Sequence, residues 1–130
     1  MKEQTVNTTS IIIQHTFSKL VGIGFLTVGV LRFIAIPSVP DLSNPQPIHG
    51  IFHLITGAIY TLSGWNKKFP LTPHFINLWL GIIYVIAAWI CCIGIFIPPN
   101  DNITHLGIGI LSILISQVFT EKILSKKPTQ

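Results

Sequence analysis

Long uncharged stretches constrain this chain more than any other feature. Asp, Glu, Lys and Arg make up only 9% of its 130 residues, whereas a soluble domain contains about a quarter. No charged residue occurs in residues 42–66, 70–100 or 102–120. Each of these windows contains a long apolar run, so lipid rather than water is the expected solvent for most of the chain.

Four apolar segments can be distinguished, at about residues 17–36, 48–62, 75–97 and 103–119. A helix rises about 1.5 Å per residue and the hydrocarbon core is about 30 Å thick. The first and third segments therefore span it, while the second and fourth must recruit flanking residues. Because the runs are continuous rather than alternating, they favour helices over strands. The predicted fold is an all-α, four-helix transmembrane bundle.

The lysines indicate an orientation. They lie before or at the start of the first segment, between the second and third, and after the fourth: Lys2, Lys19, Lys67, Lys68, Lys122, Lys126 and Lys127. The positive-inside rule then predicts cytoplasmic tails at residues 1–16 and 121–130 around a membrane domain at 17–120. We expect a multi-pass protein of a bacterial inner or thylakoid membrane. The net charge of +4 reflects this topology and does not indicate nucleic-acid binding.

An internal repeat links the two halves of the chain. The motif His-Leu-x-x-Gly occurs at residues 53–57 and again at 105–109. Gly22 and Gly81 precede these motifs at corresponding places in the first and third segments. The pattern predicts two similar helical hairpins related by an axis along the membrane normal. Both motifs then lie at one depth, in the outer half of the bilayer.

The motif regions resemble a known family. Residues 49–57 (HGIFHLITG) and 100–106 (NDNITHL) are similar to the two hallmark stretches of a family of small bacterial four-helix membrane proteins, a domain of unknown function. The resemblance covers roughly residues 21–116. Family members tend to have a longer first outer loop and often an aromatic residue just before the second motif, where this chain has Ile103 and Thr104. The resemblance implies a fold and a membrane location but no activity.

The repeated motifs also supply candidate metal ligands. His49 and His53 are four residues apart, as are Asp101 and His105, so each pair occupies one face of its helix. Three imidazoles and a carboxylate suit zinc or another first-row divalent metal. Arg32 lies near the outer end of the first segment, where its charge disfavours a cation and an ion pair with Asp101 is an alternative.

Two other interpretations of the histidines stay open. His53 and His105 are candidate axial ligands for a non-covalent haem, or for chlorophyll, between packed helices. In the structural interpretation, Asp101 or Asn102 caps the fourth helix, and Asn44 or a nearby group caps the second. His53 and His105 then bond across the bundle to each other or to backbone carbonyls.

The sequence contains no complete catalytic set. We therefore expect a non-enzymatic accessory or interaction subunit whose partners are membrane lipids and a larger membrane protein complex. The alternative is a metal- or tetrapyrrole-binding membrane protein. Cys91 and Cys92 are adjacent and offer no disulfide framework.

Overall fold

The computed structural model describes the backbone of residues 2–34, 46–92 and 99–118 and the side chains of residues 8–34, 46–90 and 102–117. These residues form four α-helices and no strand. The helices are α1 (Lys2–Leu31), α2 (Pro47–Trp65), α3 (Pro73–Cys92) and α4 (Pro99–Val118). The predicted all-α class with four helices is confirmed.

Helix α1 differs from its predicted bounds at both ends. It begins at Lys2 rather than near residue 17, because residues 2–16 contain no Pro or Gly and polar residues alone do not stop a helix. It ends at Leu31 rather than 36, where the backbone N–H groups of Phe33 and Ile34 bond to carbonyls three residues earlier. Such bonds tighten the last turn into 3₁₀ geometry. The expected tail at residues 1–16 is thus largely helical.

Proline marks the start of the other three helices. Pro47, Pro73 and Pro99 are the first residues of α2, α3 and α4, a position where the missing N–H costs nothing and the fixed φ favours the helix. The two short apolar segments accordingly become helices of 19 and 20 residues. Flanking residues are recruited, as the bilayer thickness predicts.

The predicted caps of α4 are wrong. Because α4 begins at Pro99, Asp101 and Asn102 belong to its first turn instead of its N-cap. The N-cap of α2 is Gln46, which makes no capping side-chain hydrogen bond. Asn44 lies outside the described residues.

Small residues allow close contact within two helix pairs. Helix α1 packs mainly along α2, and α3 packs mainly along α4. A Cβ atom placed at Gly57 would lie 3.0 Å from the carbonyl oxygen of Gly22, and one at Gly109 would lie 2.9 Å from that of Gly81. Glycine at these crossings lets the backbones approach to a distance that larger residues prevent.

Polar side chains lie inside this bundle and apolar ones outside. Among the described residues, eleven polar or charged side chains but only five apolar ones are buried. Large apolar residues such as Ile48, Trp89 and Ile103 are at least 70% exposed. This distribution is the reverse of that in a soluble domain. Two helical stretches, Thr8–Leu31 and Pro73–Ile90, are long and apolar enough to cross a membrane.

Candidate functional site

Three histidines converge between α2 and α4. The potential ligand atoms of His49, His53 and His105 all lie within 4.8 Å of one another. His53 and His105 are each 4% exposed, and His49 is half-buried. The structure therefore brings together three of the four predicted metal ligands. The side chain of Asp101, the fourth, lies outside the described residues, although its backbone stands one turn before His105 in α4.

Contacts at the start of α2 orient His49. The backbone N–H of Gln46 donates to the carbonyl of Arg32 at 2.8 Å, which ties α2 to the end of α1. The side-chain oxygen of Gln46 accepts a hydrogen bond from His49 Nδ1 at 3.2 Å. Since Nδ1 is the donor, Nε2 carries the lone pair of the neutral ring. A hydrogen bond of this kind is a typical support for an imidazole that binds a metal.

His53 has an unsatisfied ring nitrogen. Its Nδ1 atom is buried and has no hydrogen-bond partner among the described residues. A buried polar atom without a partner is costly and calls for an explanation such as an ion or water. Among the described residues, this Nδ1 therefore makes none of the bonds across the bundle that the structural interpretation predicts for the histidines. A ligand bound through this nitrogen would satisfy it.

Aromatic rings enclose the histidines. Phe25 stacks on His53 at a centroid distance of 5.1 Å, and Tyr84 lies 5.1 Å from His105. Phe25 and Tyr84 also stack on each other at 4.7 Å with an angle of 10° between their planes. The Tyr84 hydroxyl shares a 2.8 Å hydrogen bond with Thr56. His53 and His105 thus pack against a pair of stacked aromatic rings.

Sequence patterns did not point to Phe25, Tyr84 or Gln46. One signal was available, since Phe25 and Tyr84 each follow the repeat glycines Gly22 and Gly81 by three residues. They occupy the same place in the two halves. Comparing the halves beyond their shared glycines would have identified both rings.

Arg32 is the main charged group beside the cluster. It is 3% exposed and lines the same cavity as His53 and His105. A guanidinium carries a permanent positive charge, so it opposes a metal cation nearby. Cys91 and Cys92 have side chains outside the described residues.

Residues at equivalent places in the repeat contact one another across the bundle. Ser18 donates a 2.9 Å hydrogen bond to Asn77, 59 positions later, and the stacked Phe25 and Tyr84 have the same separation. In the even helices, Tyr60 bonds to Ser112 at 3.1 Å, 52 positions later, which is also the separation of the two motif histidines. The paired positions therefore keep a constant separation, 59 residues between α1 and α3 and 52 between α2 and α4.

Fold and site together define a four-helix bundle with polar side chains inside and a buried three-histidine cluster at one end. Comparison of the chain with models of protein families, with curated protein sequences and with solved structures finds no match.

Proposed function

We propose that this chain is a small integral membrane protein that binds a divalent transition-metal ion through His49, His53 and His105. The convergence of three imidazoles within 4.8 Å carries the proposal. The orphaned Nδ1 of His53 and the hydrogen bond that holds His49 support it independently.

The membrane setting is supported by more than helix length. The apolar exterior and polar interior of the bundle match what a hydrocarbon solvent favours, because intramembrane polar groups face the bundle interior. The stretches Thr8–Leu31 and Pro73–Ile90, which are long and apolar enough to cross a membrane, also support this setting. We propose that all four helices span the bilayer with both termini cytoplasmic, since the lysines favour that orientation.

The contacts between equivalent residues support two similar hairpins. Four such pairs, two between α1 and α3 and two between α2 and α4, stack or bond across the bundle. We propose that the hairpins are related by a two-fold axis along the membrane normal. This relationship places one histidine of each motif beside the axis, where two halves build one site. The resemblance to the bacterial four-helix family is part of the same proposal.

The geometry accommodates a metal ion after a small adjustment. Zinc binds imidazole nitrogen at about 2.0–2.1 Å with tetrahedral geometry, so two ligand nitrogens lie about 3.4 Å apart. The most distant of the present ligand atoms, which lie within 4.8 Å of one another, would have to approach by up to about 1.4 Å, which rotation of the imidazoles can provide. Asp101 remains the proposed fourth ligand, and its carboxylate would offset the charge of Arg32.

A tetrapyrrole fits the same residues poorly. A haem held by His53 and His105 would need a flat slot between their rings, which are 5.4 Å apart. His49 lies within 5.6 Å of both rings, and Phe25 and Tyr84 pack against them. A chlorin would need the same space over one imidazole. The crowding favours a single ion as the ligand.

The decisive experiment measures metal stoichiometry. The protein should be purified in mild detergent with a tag that contains no histidine, loaded with Zn²⁺ or Co²⁺, desalted and analysed for metal. We expect one ion per chain, with visible Co²⁺ bands that report nitrogen coordination. His53→Gln and His105→Gln should each abolish stoichiometric binding and preserve side-chain size.

His74→Ala is the matched control, because His74 lies at the start of α3 and outside the cluster. It should bind metal like the unmodified protein. Folded protein without stoichiometric metal, or equal binding by the cluster variants and the control, would refute the metal site.

An accessory role in a membrane complex is the second proposal. Helix α3 presents an exposed apolar stripe rich in aromatic residues: Phe75, Trp79, Ile83, Ile86, Trp89 and Ile90. Their spacing of three to four residues places them on one helix face. Such a face suits a transmembrane helix of a partner as well as lipid. Gentle extraction followed by mass analysis should detect a defined complex that Trp79→Leu and Trp89→Leu together dissociate.

A further inference from the structure

An apolar groove runs along one side of the bundle between α1 and α4. Its volume is about 660 Å³, within the usual range for sites that bind small molecules. Apolar side chains line most of its length, among them Phe17, Leu20, Val28, Ile108 and Leu111. At one end the lining becomes polar, with Arg32, His53, Thr104 and His105.

The groove breaks the approximate symmetry of the bundle. At the equivalent interface between α2 and α3, the hydroxyls of Tyr84 and Thr56 share a hydrogen bond. Phe25 and Ile108 take those places between α1 and α4 and have no hydroxyl groups to join the helices. Gly24 stands where α3 has Ile83, and a Cβ atom at Gly24 would meet nothing within 4 Å. Three substitutions between the halves therefore open one side.

The dimensions of the groove indicate its occupant. From Phe17 to Arg32 the helix axis extends about 22 Å, more than the roughly 15 Å of one hydrocarbon leaflet. A helix of that length and about 10 Å diameter would fill roughly 1,700 Å³, far more than the groove offers. An acyl chain is narrow enough to enter. The apolar lining and the lateral position between two helices suit such a chain.

The polar end adds a preference for charge. Arg32 directly follows the last residue of α1, so in the proposed membrane orientation it lies near the lipid headgroups. A guanidinium matches phosphate oxygens in geometry and charge. Basic pockets between membrane helices bind anionic lipid headgroups in this way.

We infer that the groove between α1 and α4 binds one anionic phospholipid, with an acyl chain along α1 and its phosphate at Arg32. This lipid site and the metal cluster bind different ligands, although His53 and His105 border both. The bound lipid would fill the space that the symmetry break leaves and seal the histidine cluster from the bilayer on that side. The inference depends on membrane insertion but not on metal binding.

Native mass spectrometry of protein released from nanodiscs tests this site. The nanodiscs should contain equal amounts of phosphatidylglycerol and phosphatidylcholine with identical acyl chains. We expect one retained lipid per chain, enriched in phosphatidylglycerol by about tenfold. Gly24→Phe should remove the retained lipid, and Arg32→Gln should reduce the enrichment to about onefold.

Gly107→Phe is the matched control, because a Cβ atom there also meets nothing within 4 Å, and Gly107 does not line the groove. It should retain lipid normally. Far-ultraviolet circular dichroism identifies any variant that fails to fold. If Arg32→Gln does not fold, lipid retention by Gly24→Phe still tests the groove.

Several outcomes would overturn the proposal. One is equal lipid retention by folded Gly24→Phe and Gly107→Phe. Another is equal retention of the two phospholipids by the unmodified protein. A dimer that Gly24→Phe converts to monomer would assign the groove to a second copy of the chain instead.

Discussion

His53 and His105 occupy the same position in the two copies of the His-Leu-x-x-Gly motif, and their rings lie 5.4 Å apart in the bundle. The repeat therefore brings like residues face to face. His49 lies one turn before His53 and is the third member of the cluster. The second motif contributes only His105. The cluster therefore contains two histidines from the first motif region and one from the second.

Removing the charge of Arg32 should strengthen metal binding. Arg32 lines the cavity beside His53 and His105, and its positive charge repels a divalent cation. We expect Arg32→Gln to raise Zn²⁺ affinity about tenfold, or about 1.4 kcal/mol. Competition with a chromophoric chelator measures the change. Unaltered or weaker affinity in a folded variant would show that Arg32 supports the site rather than opposing the ion.

Two glycines on α4 should respond oppositely to alanine. A Cβ atom at Gly109 would lie 2.8 Å from the Val85 side chain and 2.9 Å from the Gly81 carbonyl, whereas one at Gly107 meets nothing within 4 Å. Overpacking typically costs about 1–3 kcal/mol, so Gly109→Ala should destabilise the bundle by that amount. Gly107→Ala should be neutral or stabilising by up to about 1 kcal/mol, since alanine loses less entropy in a helix.

Unfolding in mixed micelles, followed by circular dichroism, measures both glycine variants. Similar effects of the two substitutions would contradict close packing of α3 against α4.

The buried hydrogen bond between Tyr60 and Ser112 should stabilise the pairing of the hairpins. It joins α2 to α4 at 3.1 Å, and both residues are fully buried. Interhelical hydrogen bonds in membrane proteins contribute about 0.6 kcal/mol on average. A double-mutant cycle with Tyr60→Phe and Ser112→Ala should give a coupling free energy of about that size.

Thr27→Ala provides the comparison for this cycle, because the Thr27 hydroxyl bonds to Ile23 within its own helix on an exposed face. When it is combined with Tyr60→Phe, the coupling should be zero. Additive effects of Tyr60→Phe and Ser112→Ala would show that their bond does not hold the hairpins together.

The proposed membrane topology predicts which reporters are active. A fluorescent protein fused after residue 130 should fold in the cytoplasm, whereas alkaline phosphatase fused there should be inactive. Phosphatase fused after residue 44, in the first outer connection, should be active. Extraction of the unfused chain by alkaline carbonate, or reversed reporter activities, would contradict the four-span topology.

Hydropathy predicted the number and class of the helices because a long apolar run has few alternatives in lipid. It missed their ends. Residues 2–16 are mostly polar yet helical, and Pro99 starts α4 before its apolar run begins. Helix ends depend on backbone hydrogen bonds and prolines, which a hydropathy average does not register.

The candidate site was partly accessible from spacing. Four-residue intervals place His49 and His53 on one helix face, because that periodicity is local to a helix. The rings of Phe25 and Tyr84 joined the site only through contacts between separate helices. No local pattern records those contacts.

The sequence by itself determined an all-α chain with a repeated histidine motif, because apolar run length and residue spacing act within single helices. Only the tertiary structure decided that His49, His53 and His105 meet, and that a groove opens between α1 and α4. Both results depend on how each helix is rotated about its axis against its neighbours. Glycine contacts and buried hydrogen bonds set that rotation, and they join residues far apart in the chain.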